Sequence, residues 1–249
     1  MKYIVDTGFL GIKAALAAKE TLGEDLLAVT VSADCANYTD VLVAVLQAFS
    51  SEIVYAGAPR PTLRDALPTE KAPSTTTMVS AAGFTNTEYA ANAISRIATE
   101  CEEVAVICLG PLTNVALAIM KNPEVAQNLN KIIIAGGAQL GYGYVTETAE
   151  YNIYTDPEAA DTVVKSGIPL VFVPPEACTD YRMGAVRYAI DNSVLTEGYE
   201  AFIDVDVSTS RTYGQTVVDP IGWNPINNQR HAGEKSFIVA KIKEEDTNA

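Results

Sequence analysis

The feature that most constrains this chain is a series of short apolar runs that do not alternate with polar residues. Residues 26–31 read Leu-Leu-Ala-Val-Thr-Val, residues 104–109 Val-Ala-Val-Ile-Cys-Leu, residues 131–135 Lys-Ile-Ile-Ile-Ala and residues 169–173 Pro-Leu-Val-Phe-Val. A strand with one wet face alternates apolar with polar, whereas a continuous run is a strand buried on both faces. Shorter runs at 2–5 and 52–55 extend the series, and segments of helical composition lie between the runs at 12–19, 40–50, 88–101, 113–121 and 156–165. Strands separated by helices imply an α/β fold, a mostly parallel sheet flanked by helices on both faces. In such sheets a site lies beyond the carboxyl ends of the strands. The loops at that edge are 6–11, 32–38, 110–114, 136–152 and 174–180. After Tyr181 the pattern changes to a helical stretch through Ile190, then residues 201–207 and 213–218 alternate as edge or antiparallel strands do. The sheet is therefore expected to end in a short antiparallel C-terminal addition, and the charged tail after Lys243 to fray.

A chain of 249 residues fits one domain of this class, so residues 1–249 are read as a single unit with 181–249 as its C-terminal region. Its 17 basic and 31 acidic residues give a net charge of −14, which repels phosphate backbones and anionic lipid heads and argues against nucleic acid and membrane surfaces as partners. Cys35, Cys101, Cys108 and Cys178 show no C-x-x-C spacing and read as buried free thiols of a reducing compartment. No apolar run reaches the roughly 20 residues of a membrane span, and the N-terminus enters a strand without the pattern of a signal peptide, so a cytoplasmic location is expected.

Four segments carry a resemblance. They are Ala149-Glu150-Tyr151-Asn152 followed by Asp156-Pro157-Glu158-Ala159-Ala160, then Leu109-Gly110-Pro111-Leu112-Thr113-Asn114-Val115-Ala116, then Tyr55-Ala56-Gly57-Ala58-Pro59-Arg60-Pro61, and Tyr213-Gly214-Gln215-Thr216-Val217-Val218-Asp219. In this order they resemble the inosine-uridine preferring nucleoside hydrolases, whose patterns are A-E-F-N…D-P-E-A-A, G-P-L-T-N-(I/L)-A and a closing G-x-T-V-V-D. The resemblance implies a Rossmann-like nucleoside hydrolase fold and hydrolysis of the N-glycosidic bond of ribonucleosides. It also implies a calcium ion that orients the ribose hydroxyls and the attacking water, held by hard oxygen ligands. In those proteins the ligands come from a D-T-D-P-G-x-D-D loop, the carbonyl of the Thr in L-T-N, and an Asp in a late H-D pair.

Here the first loop reads Asp6-Thr7-Gly8-Phe9-Leu10-Gly11-Ile12-Lys13-Ala14. Asp6 survives, Gly8 stands where the base carboxylate belongs, and Lys13 and Ala14 replace the closing pair. The late H-D pair has no counterpart, because the stretch between Asp180 and Phe202 is shorter than the helical region that carries it. The sole histidine, His231, lies beyond the last matching strand and reads as a solvated surface residue. The A-G-N after the second strand reads Ala33-Asp34-Cys35, the G-N before A-E-F-N reads Gly143-Tyr144, and the H-G-x-x-G-L-G loop is not recognisable between Ala66 and Phe84.

Glu150, Tyr151 and Asn152 remain as ribose-binding candidates, and Asp6, Lys13 and Thr113 as vestiges of the metal site. No metal or other cofactor is expected. Lys13 is expected to fill the old metal position and pair with Asp6 or Glu150, relieving clustered carboxylates. Each survivor also has a structural reading: Thr113 and Asn114 as caps of the following helix, Glu150 and Asn152 as anchors of loop 136–148, and Asp156-Pro157-Glu158 as N-cap, first-turn proline and acidic first turn.

The leading functional reading is a pseudoenzyme, a nucleoside hydrolase scaffold kept for binding, assembly or packing. The alternatives are a ribonucleoside N-glycosidase or other ribosyl hydrolase with metal-independent chemistry, using Asp6, Asp34 or Glu150 as acid or base, and a sensor that binds a nucleoside or ribosyl ligand without turnover. A homo-oligomer, extended assemblies included, is expected because a shortened chain exposes surface that missing helices would cover.

Overall fold

In the computed structural model, which describes residues 1–34, 37–64, 86–140, 143–208, 211–224, 229–230 and 233–243, the apolar runs become the centre of one sheet. In chain order the elements are β1 (Lys2–Thr7), α1 (Ile12–Leu22), β2 (Leu26–Val31), α2 (Tyr38–Ala48), β3 (Val54–Ala56), α3 (Ala90–Glu100), β4 (Val104–Cys108), α4 (Thr113–Lys121), α5 (Val125–Asn128) and β5 (Leu129–Ala135). They continue as α6 (Tyr151–Thr155), α7 (Pro157–Val164), β6 (Leu170–Val173), α8 (Tyr181–Ile190), β7 (Leu195–Val205), β8 (Thr216–Asp219), β9 (Trp223–Asn224), β10 (Gln229–Arg230) and β11 (Ser236–Ile242).

The nine-stranded sheet has the order β3-β2-β1-β4-β5-β6-β11-β7-β8, and β9 and β10 form a separate antiparallel pair. From β3 through β11 every neighbouring pair is parallel. β7 then runs antiparallel to β11, and β8 antiparallel to β7. The expected antiparallel addition is present, but its anchor is β11, a strand the sequence reading does not assign. The 236–242 run returns from the end of the described chain to pair with β6, so β7 reaches the parallel sheet only through it.

Each face of the sheet has its own core, as continuous apolar strands require. Ile4, Val106, Ile132 and Ile134 pack with Ile94, Val115 and Val163 of α3, α4 and α7. Val5, Val29, Ile107 and Ile133 pack on the opposite face with Ala15, Val41, Val45 and Val186 of α1, α2 and α8. Burying a side chain such as Ile4, Ile107 or Ile133 stabilises by roughly 2–3 kcal/mol relative to exposing it.

Chain order reverses between β1, which leads outward to β2 and β3, and β4, which leads to β5 and β6. In sheets of this kind such a switch point is where a crevice is expected at the carboxyl edge. Among the described residues no helix is long and apolar enough to cross a membrane. Of the described thiols Cys108 is buried, while Cys101 and Cys178 are half-buried, not buried as the sequence reading has them. Cys35, His231, the 66–84 segment and the tail after Lys243 lie outside the described residues.

Candidate functional site

Two polar clusters stand at the carboxyl edge. The first is centred on Asp6, near the end of β1 and wholly buried. Its Oδ1 accepts from Thr30 Oγ1 at 2.5 Å and from Asn114 Nδ2 at 2.7 Å, while its Oδ2 is buried with no partner. Burial pushes the carboxyl up to about 6, against the opposing pull of the Asn114 and Thr30 hydrogen bonds. The Ser32 hydroxyl at the end of β2 is likewise buried and without a partner.

Asn114 and Thr113 do not cap α4. The cap position is Leu112, with no side-chain bond. Asn114 instead bridges the crevice, giving its amide to Asp6 and taking the Ala58 N–H at 2.8 Å. Thr113 donates to Asp156 Oδ2 at 2.7 Å. Asp156 caps α7 through the Ala159 N–H, with Pro157 in the first turn, and also receives the amide and hydroxyl of Thr62. It thereby ties the loop after β3 to α4 and α7.

The second cluster is built on Glu150 and Asn152, each 1% exposed. Glu150 is the N-cap of α6. Its Oε2 accepts from the amides of Asn152 at 3.0 Å, Ile153 at 3.2 Å and Gly137 at 3.3 Å, and its Oε1 from the Tyr181 hydroxyl at 2.6 Å. The Gly137 bond fixes the start of the long loop after β5. Asn152 donates to the Ala135 carbonyl at 2.7 Å and to Leu109 O at 3.3 Å, and its Oδ1 accepts from Arg182 at 3.0 Å. Tyr151, half-buried, opens α6. Burial raises the Glu150 carboxyl above its ordinary range despite its donors and the nearby Arg182 charge. The Tyr181 hydroxyl is pushed up by burial first and by the Glu150 charge second.

Arg182, in the first turn of α8, closes this cluster. Its Nε donates to Leu109 O at 3.1 Å, and its guanidinium lies 4.6 Å from the centre of the Tyr181 ring. No motif marks it in the sequence, because its partners lie on other strands and helices. Lys13, by contrast, does not fill the old metal position. It is exposed in the first turn of α1, and among the described residues it pairs with neither Asp6 nor Glu150. The cation that the second cluster does hold is Arg182, contributed by another element.

Among the described residues the donor set at this edge does not fit calcium. That ion takes six to eight hard oxygens, and this corner offers the unspent Asp6 Oδ2 and the Asp34 carboxylate, whose Oδ2 is held by the Leu10 amide, with glycine at position 8 and a lysine and an alanine at 13 and 14. Among the described residues no three His, Cys, Asp or Glu side chains gather into a metal-holding group.

Two clefts open nearby. One of about 340 Å³ is walled by residues 57–62 with Tyr89, Thr113, Asn114 and Leu117. Another of about 630 Å³ lies among residues 175–179, Tyr144, Tyr181, Glu197 and Lys241. Asp6, Glu150 and Asn152 line neither.

A family model described as inosine-uridine preferring nucleoside hydrolase matches residues 5–184. Uridine nucleosidase 1 of Arabidopsis thaliana is 34% identical over 129 residues, 49% of this chain and 38% of that protein. Pyrimidine-specific ribonucleoside hydrolase RihA of Citrobacter koseri is 50% identical over 70 residues, 28% of this chain and 22% of that one. The chain matches about half the length or less of these curated relatives. Among solved structures, a purine-preferring ribonucleoside hydrolase from Gardnerella vaginalis superposes with a TM-score of 0.80 at 18% identity, covering 98% of this chain and 94% of that one. At that identity the likeness speaks to the fold alone.

Proposed function

The chain belongs to the inosine-uridine preferring nucleoside hydrolase family, and from that premise we propose that it is a member without calcium-dependent hydrolysis, kept for binding or assembly. The observation that carries this reading is that the Glu150 and Asn152 side chains are buried and every polar atom of both already has a partner within the chain. The resemblance assigns these two to ribose hydroxyls. Here four donors of the chain itself occupy the Glu150 carboxylate, and Arg182, Leu109 and Ala135 occupy the Asn152 amide. A ribose hydroxyl would have to displace bonds in a site nearly closed to solvent, where each lost partner costs about 1–3 kcal/mol. The donor set supports absence of the metal on the same terms, since the carboxylates of the first loop fall far short of the six to eight hard oxygens that calcium takes.

Ribose release from inosine and from uridine, measured with calcium and with a chelator, tests the proposal. The expected rate equals the uncatalysed background in both. Calcium-dependent release would refute it.

One observation favours a second reading, a metal-independent ribosyl hydrolase. Asp6 has an unspent oxygen and a carboxyl held up to about 6 by burial, a value suited to general acid or base work near neutral pH. In that case release occurs in chelator, follows a titration near pH 6, and disappears in Asp6→Asn.

A homo-oligomer in a cytoplasmic setting completes the proposal, supported by the apolar Val217, Ile221 and Trp223 exposed at the β8 end of the sheet. A single monomer boundary in analytical ultracentrifugation at micromolar concentration would count against it.

A further inference from the structure

The loop after β1 carries a glycine that its backbone does not require. Gly8 has φ −105° and ψ −166°, an extended conformation open to any residue. Space, not backbone, excludes a side chain there. A Cβ on Gly8 would lie 2.4 Å from Asp34 Oδ2, 2.6 Å from its Cγ and 3.0 Å from its Cβ, all inside the roughly 3.5 Å of ordinary contact. The three nearest atoms all belong to Asp34, beyond the end of β2. Asp34 is 4% exposed, and its Oδ2 accepts the Leu10 amide at 3.1 Å, so its carboxylate cannot swing aside without giving up a bond in a buried place.

We infer that Asp34 is the positioning residue of the 8–11 turn, and that positions 8 and 34 form a reciprocal pair in which a side chain at one excludes a side chain at the other. The carboxylate at this corner of the crevice comes from the end of β2, and the space it fills is the space a residue-8 side chain would take. The motifs read from the sequence run the same way: the D-T-D and A-G-N patterns set a carboxylate at the position of Gly8 and a glycine at the position of Asp34. Held by Leu10 N–H, the Asp34 carboxylate fixes the first turn after β1. Restoring a carboxylate at position 8 alone therefore cannot rebuild the family loop, because it meets Asp34 first.

This inference is independent of whether the protein hydrolyses anything, so its test reads stability and exchange. Denaturant unfolding of the full chain compares Gly8→Ala in three backgrounds, wild type, Asp34→Asn and Asp34→Gly. Gly8→Ala is expected to raise the unfolded-to-folded ratio at least tenfold in the wild type and in Asp34→Asn, which keeps the side-chain volume, and less than threefold in Asp34→Gly. Gly8→Ala that fails to fold while the double variant with Asp34→Gly folds is the same result at its limit. Equal penalties in all three backgrounds, or a double variant that unfolds although Asp34→Gly folds, would overturn the pairing. Hydrogen exchange supplies the positioning readout. The Leu10 amide loses protection in Asp34→Gly and keeps it in Asp34→Asn, and unchanged protection in Asp34→Gly would overturn the positioning role.

Discussion

The two polar clusters at the carboxyl edge of the sheet use the same kinds of residue and are closed in opposite ways. Around Glu150 and Asn152 the carboxylate and amide are each matched by donors and acceptors of the chain, and the last place is taken by Arg182. Around Asp6 the two donors share one oxygen and leave the other buried without a partner. The first cluster behaves as structure: it caps α6 and pins the loop after β5. The second holds a desolvated carboxyl with unspent capacity, the kind of group from which candidate functional positions are drawn.

Substitutions can break that contrast, beginning with Glu150→Ala. It strands three backbone amides and the Tyr181 hydroxyl in a site 1% exposed, and a loss of about 4 kcal/mol is expected in urea unfolding. A loss under about 1 kcal/mol would mean that the cluster is not closed in solution.

Asp6→Asn comes next and acts through pH. Between the ordinary carboxyl value near 4 and the folded value of about 6, the folded protein binds a proton that the unfolded chain has released. This contribution is therefore full below about pH 4 and lost as pH rises through about 6, in all about 3 kcal/mol. The stability difference between wild type and Asp6→Asn should fall by that amount, about 3 kcal/mol, from pH 4 to pH 7 in parallel urea titrations. A flat difference would place Asp6 in a solvated setting and remove the contrast.

Arg182→Met keeps the aliphatic stem and removes the donors to Asn152 Oδ1 and Leu109 O. A cost of about 2 kcal/mol is expected in the same assay. Lys13→Ala marks the floor of the scale, because an exposed side chain that makes no ion pair among the described residues contributes within about 0.5 kcal/mol. A larger loss would reinstate Lys13 as a partner of the buried carboxylates.

Much of the fold is legible in the chain because burial on both faces leaves a local signature. β2 and α4 run over the residues their apolar patterns mark, 26–31 and 113–121. β11 is not legible in that way. Its place depends on Phe237 meeting Val171 and Ser236 meeting Ala201, pairings that no window of neighbouring residues contains. The site divides along the same line. Asp6, Glu150 and Asn152 are found through motifs, whereas Arg182 reaches Leu109 across 73 positions and Asn152 across 30. Lys13 misleads for the converse reason: its place in the motif suggests a charge in the crevice, but the first turn of α1 carries its side chain outward. Thr113 and Asn114 look like caps because they begin a helix, and their side chains instead reach Asp156 and Asp6.

The measurement closest to the central claim is calorimetric titration of the full chain with calcium, followed by inosine and uridine in its presence. A closed Glu150–Asn152 cluster and a first loop with too few carboxylate oxygens for calcium predict no heat of binding for the metal and none that depends on it for either nucleoside. Saturable calcium binding that brings a nucleoside with it would contradict the account, since the metal site would then be rebuilt from other residues and the ribose side would open on demand.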